Sequence, residues 1–460
     1  MKLLKRGLAR KRVERTLAET FDLVFKGGTL VNHAGEGRAD VGVSDGRIAA
    51  IGDIAEGVAG ETIDATGLHI LPGVIDSQVH FREPGLEHKE DLESGSRSAV
   101  LGGVTAVFEM PNTKPPTTSA EALADKVLRA RGRMHCDFAF FVGATRDNVD
   151  ALPELERLPG AAGVKVFMGS STGDLLVDDE ATLSRIFAKI SRRAAFHAED
   201  EARLKARLSL QRQADPSSHS EWRDAEAALI ATTRLLKLAS QAGKRVHVLH
   251  VSTAEEMELL ARHKDIATVE VTPQHLTFVG PEIYDELGTL AQMNPPLRDV
   301  RHQERLWWGL AQGVVDVLGS DHAPHTLDEK AKNYPSTPSG MPGVQTLVPV
   351  MLDHVNAGRL SLARFVDLTS AGPQRIFGIA GKGRIALGYD ADLTVVDLKA
   401  GRVIDNDWVG SKSGWTPFAG RKVKGWPIGT VVRGKIAMWQ GELRKAAGEP
   451  VRFGETLPKV

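Results

Sequence analysis

The chain has 460 residues, and 42% of them are hydrophobic, enough for one large domain and a smaller one. Lysine and arginine together number 58 against 59 aspartates and glutamates, so the net charge of −1 does not favour nucleic acid or an anionic membrane as partner. The single Cys136 excludes an intramolecular disulfide and a multi-cysteine metal cluster, and favours a reducing, cytoplasmic location. No apolar run approaches the roughly 20 residues that a membrane span needs.

The two ends of the chain differ in texture from the middle. Residues 1–20 are basic and lack the apolar stretch of a secretory signal, and their leucine and valine spacing predicts a helical N-terminal extension. Residues 21–71 read as short strands separated by glycine-containing turns, and the same texture returns in residues 379–460. Because a few lone strands are not independently stable, we expect both ends to form one small β-rich domain.

The middle of the chain, residues 72–378, alternates short apolar runs with amphipathic helical stretches. Eight runs are found, at residues 73–80, 104–110, 136–142, 162–167, 194–198, 245–250, 266–271 and 315–321. Eight buried strands alternating with helices predict an α/β fold, a parallel sheet closed as a (β/α)8 barrel of the TIM type. An open doubly wound sheet is the alternative, but no G-x-G-x-x-G motif follows the first strand.

Polar side chains stand at or near the carboxyl ends of these runs, where a barrel gathers its active-site residues. The set consists of Gln78, His80, Lys165, His197, His250 and Asp321. Neutral imidazoles and a carboxylate suit a zinc-like ion, and a lysine suits the same site if carbon dioxide has converted it to a carbamate. Singly, each residue has a plainer explanation: a hydrogen-bonded core histidine, an ion-paired lysine, or an aspartate that caps a helix. Their shared position at one rim favours a metal site.

An ordered set of motifs resembles the cyclic amide hydrolase branch of the amidohydrolase superfamily, and looks most like dihydroorotases. The motifs are DSQVHFREPG (76–85), MPNTKPPT (110–117), GVKVF (163–167), FHAED (196–200), HVST (250–253), VTPQHL (271–276), MNPPLR (293–298) and GSDHAPHT (319–326). The resemblance covers nearly the whole chain. It implies a barrel with one or two divalent metal ions, zinc being the expected ion, and a side domain formed by the β-rich ends.

The resemblance also implies roles for individual residues. His80 and Asp321 would bind the more buried metal, with Asp321 also carrying the proton, and carboxylated Lys165 would bridge to a second metal held by His197 and His250. A second set would grip a substrate carboxylate, a task for which a forked guanidinium is well shaped. That set is Arg82, Asn112, Asn294 and His325. Roles for His275 and His322 are left open.

Gln78 departs from the family pattern, which has a histidine at this position. An amide oxygen is a weaker zinc ligand than imidazole. Gln78 therefore either ligates a loosely held first metal, or stands beside an absent one, or marks a degraded enzyme that serves only as a scaffold. We expect a metal site in which Gln78 is the one weak ligand, because the other ligands of the family pattern are present.

Three functions compete. The leading one is the reversible hydrolysis of dihydroorotate to N-carbamoyl-aspartate in pyrimidine biosynthesis. The second is a hydantoinase, dihydropyrimidinase or allantoinase activity, which would not require the carboxylate-binding Arg82 and Asn112. The third is a non-catalytic subunit. A homo-oligomer is left open, and His219 and Arg223, within the polar stretch 211–224, are expected at the surface.

Overall fold

The computed structural model describes residues 20–169 and 173–457, so the predicted N-terminal helix lies outside the described residues. Short strands occupy the beginning of the described chain. They are β1 (Phe21–Lys26), β2 (Thr29–Asn32), β3 (Gly35–Arg38), β4 (Asp40–Ser44), β5 (Arg47–Gly52), β6 (Ala59–Asp64) and β7 (His69–Pro72). In β1, Asp22 is exposed while Leu23, Val24 and Phe25 are buried, so this strand is covered on both faces over most of its length.

The middle of the chain forms a parallel sheet of eight strands in chain order. They are β8 (Val74–Val79), β9 (Val104–Glu109), β10 (Asp137–Gly143), β11 (Ala161–Phe167), β12 (Ala194–His197), β13 (Val246–Val248), β14 (Ala267–Val271) and β15 (Val317–Leu318). Each strand falls within one predicted run or extends it by one residue. Both faces of the strands are buried, which explains why they appear in the sequence as continuous apolar runs.

The barrel is closed next to the candidate site. Val79, at the end of β8, forms a parallel bridge with His322, just beyond β15, and the His80 amide donates to the His322 carbonyl oxygen at 2.7 Å. Lower down, the Ser320 amide donates to the Asp76 carboxylate at 3.0 Å. The first and last strands are therefore joined at the rim that carries His80 and Asp321, and the predicted (β/α)8 barrel is confirmed.

Helices cover the outside of the barrel. They are α1 (Leu92–Leu101), α2 (Ala120–Ala130), α3 (Leu152–Leu155), α4 (Glu180–Lys189), α5 (Glu201–Ala206), α6 (His219–Trp222), α7 (Ala225–Gln241), α8 (Ala254–Ala261), α9 (Pro273–Thr277), α10 (Glu282–Leu287), α11 (Val300–Ala311), α12 (Leu327–Lys330), α13 (Leu347–Asn356), α14 (Leu362–Val366) and α15 (Gly372–Phe377). The longest, α7, is preceded by Asp224, whose carboxylate accepts a hydrogen bond from the Ala227 amide and caps the helix. It buries Leu235 and Leu238 against the barrel.

The carboxyl-terminal strands return to the N-terminal ones. They are β16 (Leu393–Val403), β17 (Lys422–Val432), β18 (Lys435–Trp439) and β19 (Glu442–Leu443). Strand β16 pairs antiparallel with β7, which joins both ends of the chain in one seven-stranded sheet, while β5, β4, β1 and β6 form a second sheet. The expected β-rich side structure from both ends is therefore present. Within the described ranges, no helix combines the length and apolarity that crossing a bilayer requires.

Candidate active site

Gln78, His80 and Asp321 form one hydrogen-bonded group at the carboxyl rim. The Gln78 amide nitrogen donates to Asp321 Oδ1 at 3.0 Å, and His80 Nε2 lies 3.2 Å from the same oxygen. The other amide atom, Gln78 Oε1, is buried and has no hydrogen-bond partner. Gln78 thus faces the site, with a free carbonyl oxygen in the place where the family pattern has an imidazole.

The contacts of His80 leave a ring lone pair directed at a carboxylate. Its Nδ1 lies 2.7 Å from Asn112 Oδ1, an acceptor, so the Nδ1 proton points to Asn112. Burial lowers the pKa of His80, although the Asp321 carboxylate opposes this shift, and the ring is therefore neutral. In that tautomer, the Nε2 lone pair and the Asp321 carboxylate face each other, an arrangement that a cation between them would stabilise.

His197 and His250 form a second pair of facing ring nitrogens. His197 Nδ1 lies 3.0 Å from His250 Nε2, while His197 Nε2 donates to Glu199 Oε2 at 2.8 Å. A histidine that donates one ring proton to a carboxylate has its other nitrogen fixed as an electron-pair donor, the usual arrangement behind a metal-binding histidine. Burial, followed by the neighbouring His197, lowers the pKa of His250 well below its usual value, so its imidazole is neutral too.

A buried ion pair supports His197 from behind. Glu199 is fully buried, and the Arg223 guanidinium binds it through Nε and Nη2. Burial alone would raise the pKa of Glu199, but Arg223 and His197 outweigh it and hold that pKa well below the usual value. The surface assignments of Arg223 and His219 are therefore wrong: both are buried, because the 211–224 stretch folds back onto the barrel rim.

Lys165 is a buried amine that interacts electrostatically with Asp321 of the first group and with His197 and His250 of the second. Its Nζ has no hydrogen-bond partner and sits 4.5 Å from the centre of the Phe167 ring. Burial lowers the pKa of Lys165 to about 7, even though Asp321 and Glu270 act in the opposite direction. Near neutral pH a large fraction of the side chain is therefore the free amine, the form that reacts with carbon dioxide.

Residues of the rim also adopt strained backbone conformations. Arg82, His250 and Asp321 have φ angles of 68°, 36° and 45°, in the left-handed region that side-chain-bearing residues rarely occupy. Such conformations persist where surrounding contacts impose them, and they concentrate at functional sites.

The donor set fits a metal centre that depends on Lys165. Across residues 20–169 and 173–457, no three histidine, cysteine, aspartate or glutamate side chains converge on one point. Each half supplies only two such ligands, His80 with Asp321 and His197 with His250. A carbamate on Lys165 would complete both halves with an oxygen ligand.

A pocket wall of basic side chains lies beside the first group. Lys89 Nζ donates to His325 Nδ1 at 3.1 Å, so the His325 proton is on Nε2 and reaches the Ser339 carbonyl oxygen at 3.0 Å. Arg82 Nη2 lies 3.3 Å from that protonated Nε2, a donor facing a donor, and Arg82 Nε donates to the Pro324 carbonyl oxygen at 3.2 Å, so its terminal Nη groups remain available for an anion. Sequence reasoning missed Lys89, since its spacing from His325 in the chain gives no sign of contact.

The other predicted residues divide between the rim and its supports. Asn112 joins the pocket wall to the metal group through His80, whereas the hydrogen bond described for Asn294 Oδ1 is to His219 Nε2, at 2.8 Å. His275 Nε2 lies 3.1 Å from the Pro295 carbonyl oxygen, and His322 Nε2 lies 3.4 Å from Glu90. These two histidines therefore support neighbouring loops.

Comparison with known proteins places this barrel in a family. The model of the amidohydrolase family matches residues 69–437, and the chain belongs to that family.

Three relatives show the range of known proteins that the chain resembles. It is 39% identical to the dihydroorotase of Halobacterium salinarum, over 88% of this chain and 94% of that one. It is 37% identical to the allantoinase of Rubrobacter xylanophilus, over 94% and 97%. Among solved structures, the L-hydantoinase (dihydropyrimidinase) from Arthrobacter aurescens superposes with a TM-score of 0.90 at 33% identity, over 94% and 100%. The predicted family and enzyme class, cyclic amide hydrolase, are confirmed.

Proposed function

We propose that this chain is a metal-dependent dihydroorotase, which opens the ring of dihydroorotate reversibly to N-carbamoyl-aspartate. Water adds its hydroxyl to the ring carbonyl carbon, the ring C–N bond breaks, and the remaining proton goes to the released nitrogen. Relatives named dihydroorotase support this assignment at up to 39% identity.

Two ion positions follow from the donor set. Carboxylated Lys165, His197 and His250 would hold one ion, and His80, Asp321 and the Gln78 carbonyl oxygen, with the same carbamate, would hold a second. A divalent ion here supplies Lewis acidity, which lowers the pKa of water and polarises the carbonyl of the scissile amide. We propose zinc, because imidazole nitrogens with carboxylate oxygens suit it.

Asp321 is the proton carrier in this proposal. Its carboxylate accepts the proton of the attacking water and delivers it to the leaving ring nitrogen. The hydrogen bond from Gln78 to Asp321 Oδ1 orients this carboxylate, so Gln78 has a positioning role as well as a ligand role.

The single observation that carries the substrate assignment is the Arg82 guanidinium, which is buried at the rim with its terminal Nη groups available. It is flanked by His325 and by Lys89, which is itself paired with Glu329 at 3.0 Å. Burial lowers the pKa of Arg82 to about 10, with Asp321 opposing, so the group keeps its charge at neutral pH. An unpaired buried cation calls for an anionic partner, and the carboxylate of dihydroorotate provides one.

Arg82→Ala tests this assignment. Losing a charge-assisted hydrogen bond of about 1.5–3 kcal/mol should raise KM for dihydroorotate about 10- to 100-fold, and Arg82→Lys should restore part of the loss. Steady-state kinetics on both variants and on Arg129→Ala, a half-exposed arginine outside the rim, provide the comparison. An unchanged KM in Arg82→Ala would remove the carboxylate-binding role.

A hydantoinase or allantoinase activity is the second candidate, because relatives with those names are 35% and 37% identical to this chain. Uncharged rings gain nothing from Arg82. An assay panel of dihydroorotate, hydantoin and allantoin separates the two: faster turnover of either uncharged ring by the wild-type enzyme would favour the second candidate.

A further inference from the structure

A pocket opens at the opposite end of the barrel from the candidate active site. It is a cavity of about 420 Å³, a size typical of small-molecule sites, at the amino-terminal ends of β11, β12 and β13. Arg193 immediately precedes β12 and Arg245 immediately precedes β13, so both belong to the loops of this lower face. None of the residues that line this pocket belongs to the candidate active site.

The charged residues that line the cavity are predominantly basic. They are Arg192, Arg193, Lys244, Arg245, Arg375 and a single acid, Glu455. Glu455 lies 3.9 Å from Arg192, and Arg375 is paired with Asp367 at 2.8 Å, so these two cations have counter-ions. Lys244 donates to the Ile190 carbonyl oxygen at 2.7 Å, a neutral partner that leaves its charge uncompensated.

Arg192 forms a rigid part of the wall. Its Nη1 donates to the carbonyl oxygens of Glu156 and Ala161, at 2.8 and 3.0 Å, and its guanidinium stacks on the Phe453 ring with 4.4 Å to the ring centre. A guanidinium held in this way loses little further freedom when a ligand binds beside it.

Arg193 is the residue of this cavity that most clearly favours an anion as ligand. Its Nε is buried and has no hydrogen-bond partner, and its Nη1 makes only a long contact of 3.4 Å to Thr268 Oγ1. Burial, followed by the like charge of Arg245, lowers the pKa of Arg193, while Asp316 and Glu455 oppose the shift. Two guanidinium groups therefore repel each other across a cavity where an anion would stabilise both.

We propose that this lower cavity binds a small phosphate-bearing molecule through Arg193, Arg245 and Lys244. The forked donors of two guanidinium groups match phosphate oxygens, and a lysine adds a compact charge beside them. Phe377 and Ile376 supply an apolar wall on which the organic part of a phosphorylated metabolite would pack.

Calorimetric titration of the full-length protein with inorganic pyrophosphate tests the site, and adenosine monophosphate is titrated in parallel. We expect saturable binding of at least one probe. Tighter binding of pyrophosphate would indicate that the site recognises phosphate groups alone. Tighter binding of the nucleotide would indicate that the apolar wall contributes to the binding free energy. No saturation by either probe up to about 10 mM, ten times a dissociation constant of about 1 mM, would overturn the proposal.

Variants locate the binding. Arg245→Ala changes an exposed side chain, so the fold is kept, and we expect binding about 10- to 100-fold weaker, as for the loss of one charge-assisted hydrogen bond. Arg193→Ala should weaken it similarly and Arg193→Lys less. The control Arg38→Ala removes an exposed arginine from β3, in the side sheet, and should bind as wild type. Equal affinity in Arg245→Ala and Arg38→Ala would overturn the proposal.

Discussion

The two halves of the candidate metal site are built differently. His197 is fixed by Glu199, and Glu199 by Arg223, so a charged chain of contacts stands behind the His197–His250 pair. His80 is fixed by the neutral amide of Asn112, and its expected histidine partner is replaced by Gln78. The two candidate metal positions are therefore unequal. The supported half is the His197–His250 pair, and the adaptable half is formed by His80, Gln78 and Asp321.

Asp321 belongs to the adaptable half and also carries the proton in the proposed reaction. We therefore expect its substitution to have the largest effect on activity. Asp321→Asn should lower kcat by about 10²- to 10⁴-fold, the range of general acid–base catalysis. Steady-state rates, together with the metal content of the purified variant, check this. Asp328→Asn, an exposed neighbour on α12, is the matched control, and a variant at Asp321 that keeps wild-type kcat would contradict the role.

Glu199→Gln tests whether the buried ion pair supports metal binding in the supported half. The amide no longer compensates Arg223 or draws the His197 proton, so metal affinity at the His197–His250 position should fall about 10- to 100-fold. Competition with a chelator measures the affinity, and the surface variant Glu258→Gln serves as control. If Glu199→Gln binds metal as tightly as the control does, the buried ion pair has no part in supporting this position.

Gln78→His should produce the smallest change and should make the two halves more alike. An added imidazole would tighten the weaker metal position by roughly tenfold, about 1.4 kcal/mol. Gln78→Leu, which removes both the ligand oxygen and the hydrogen bond to Asp321, should weaken it. Chelator competition on the pair of variants is the measurement, and equal affinities would show that the side chain does not reach the metal.

The barrel could be predicted because each of its strands is identified by a short pattern of neighbouring residues in the sequence. Parallel strands buried on both faces must be apolar along their length, so all eight runs stood out, and the polar groups at their ends marked the rim. The β-rich ends were recognisable from alternation, but their division into two sheets follows from long-range pairing between β7 and β16, which no local pattern specifies.

The residues that hold the candidate ligands in place were harder to predict from the sequence than the ligands themselves. Glu199 lies within the quoted FHAED motif, yet its partner Arg223 sits in a polar stretch that resembles a solvated loop. Its burial arises only because the stretch between α5 and α7 packs on the rim. Lys89 was missed for the same reason, since its contact with His325 spans 236 residues of chain.

Metal analysis of protein purified without chelators tests the central claim most directly, with Lys165→Ala measured beside the wild type. We predict bound divalent metal in the wild type, in one tight and one weaker class on chelator titration, and a carbamate signal after labelling with carbon-13 bicarbonate. The Lys165→Ala variant should lose the carbamate signal and most of its metal. Wild-type protein that binds no divalent ion, or a Lys165→Ala variant that binds it equally well, would contradict a cation centre organised around Lys165.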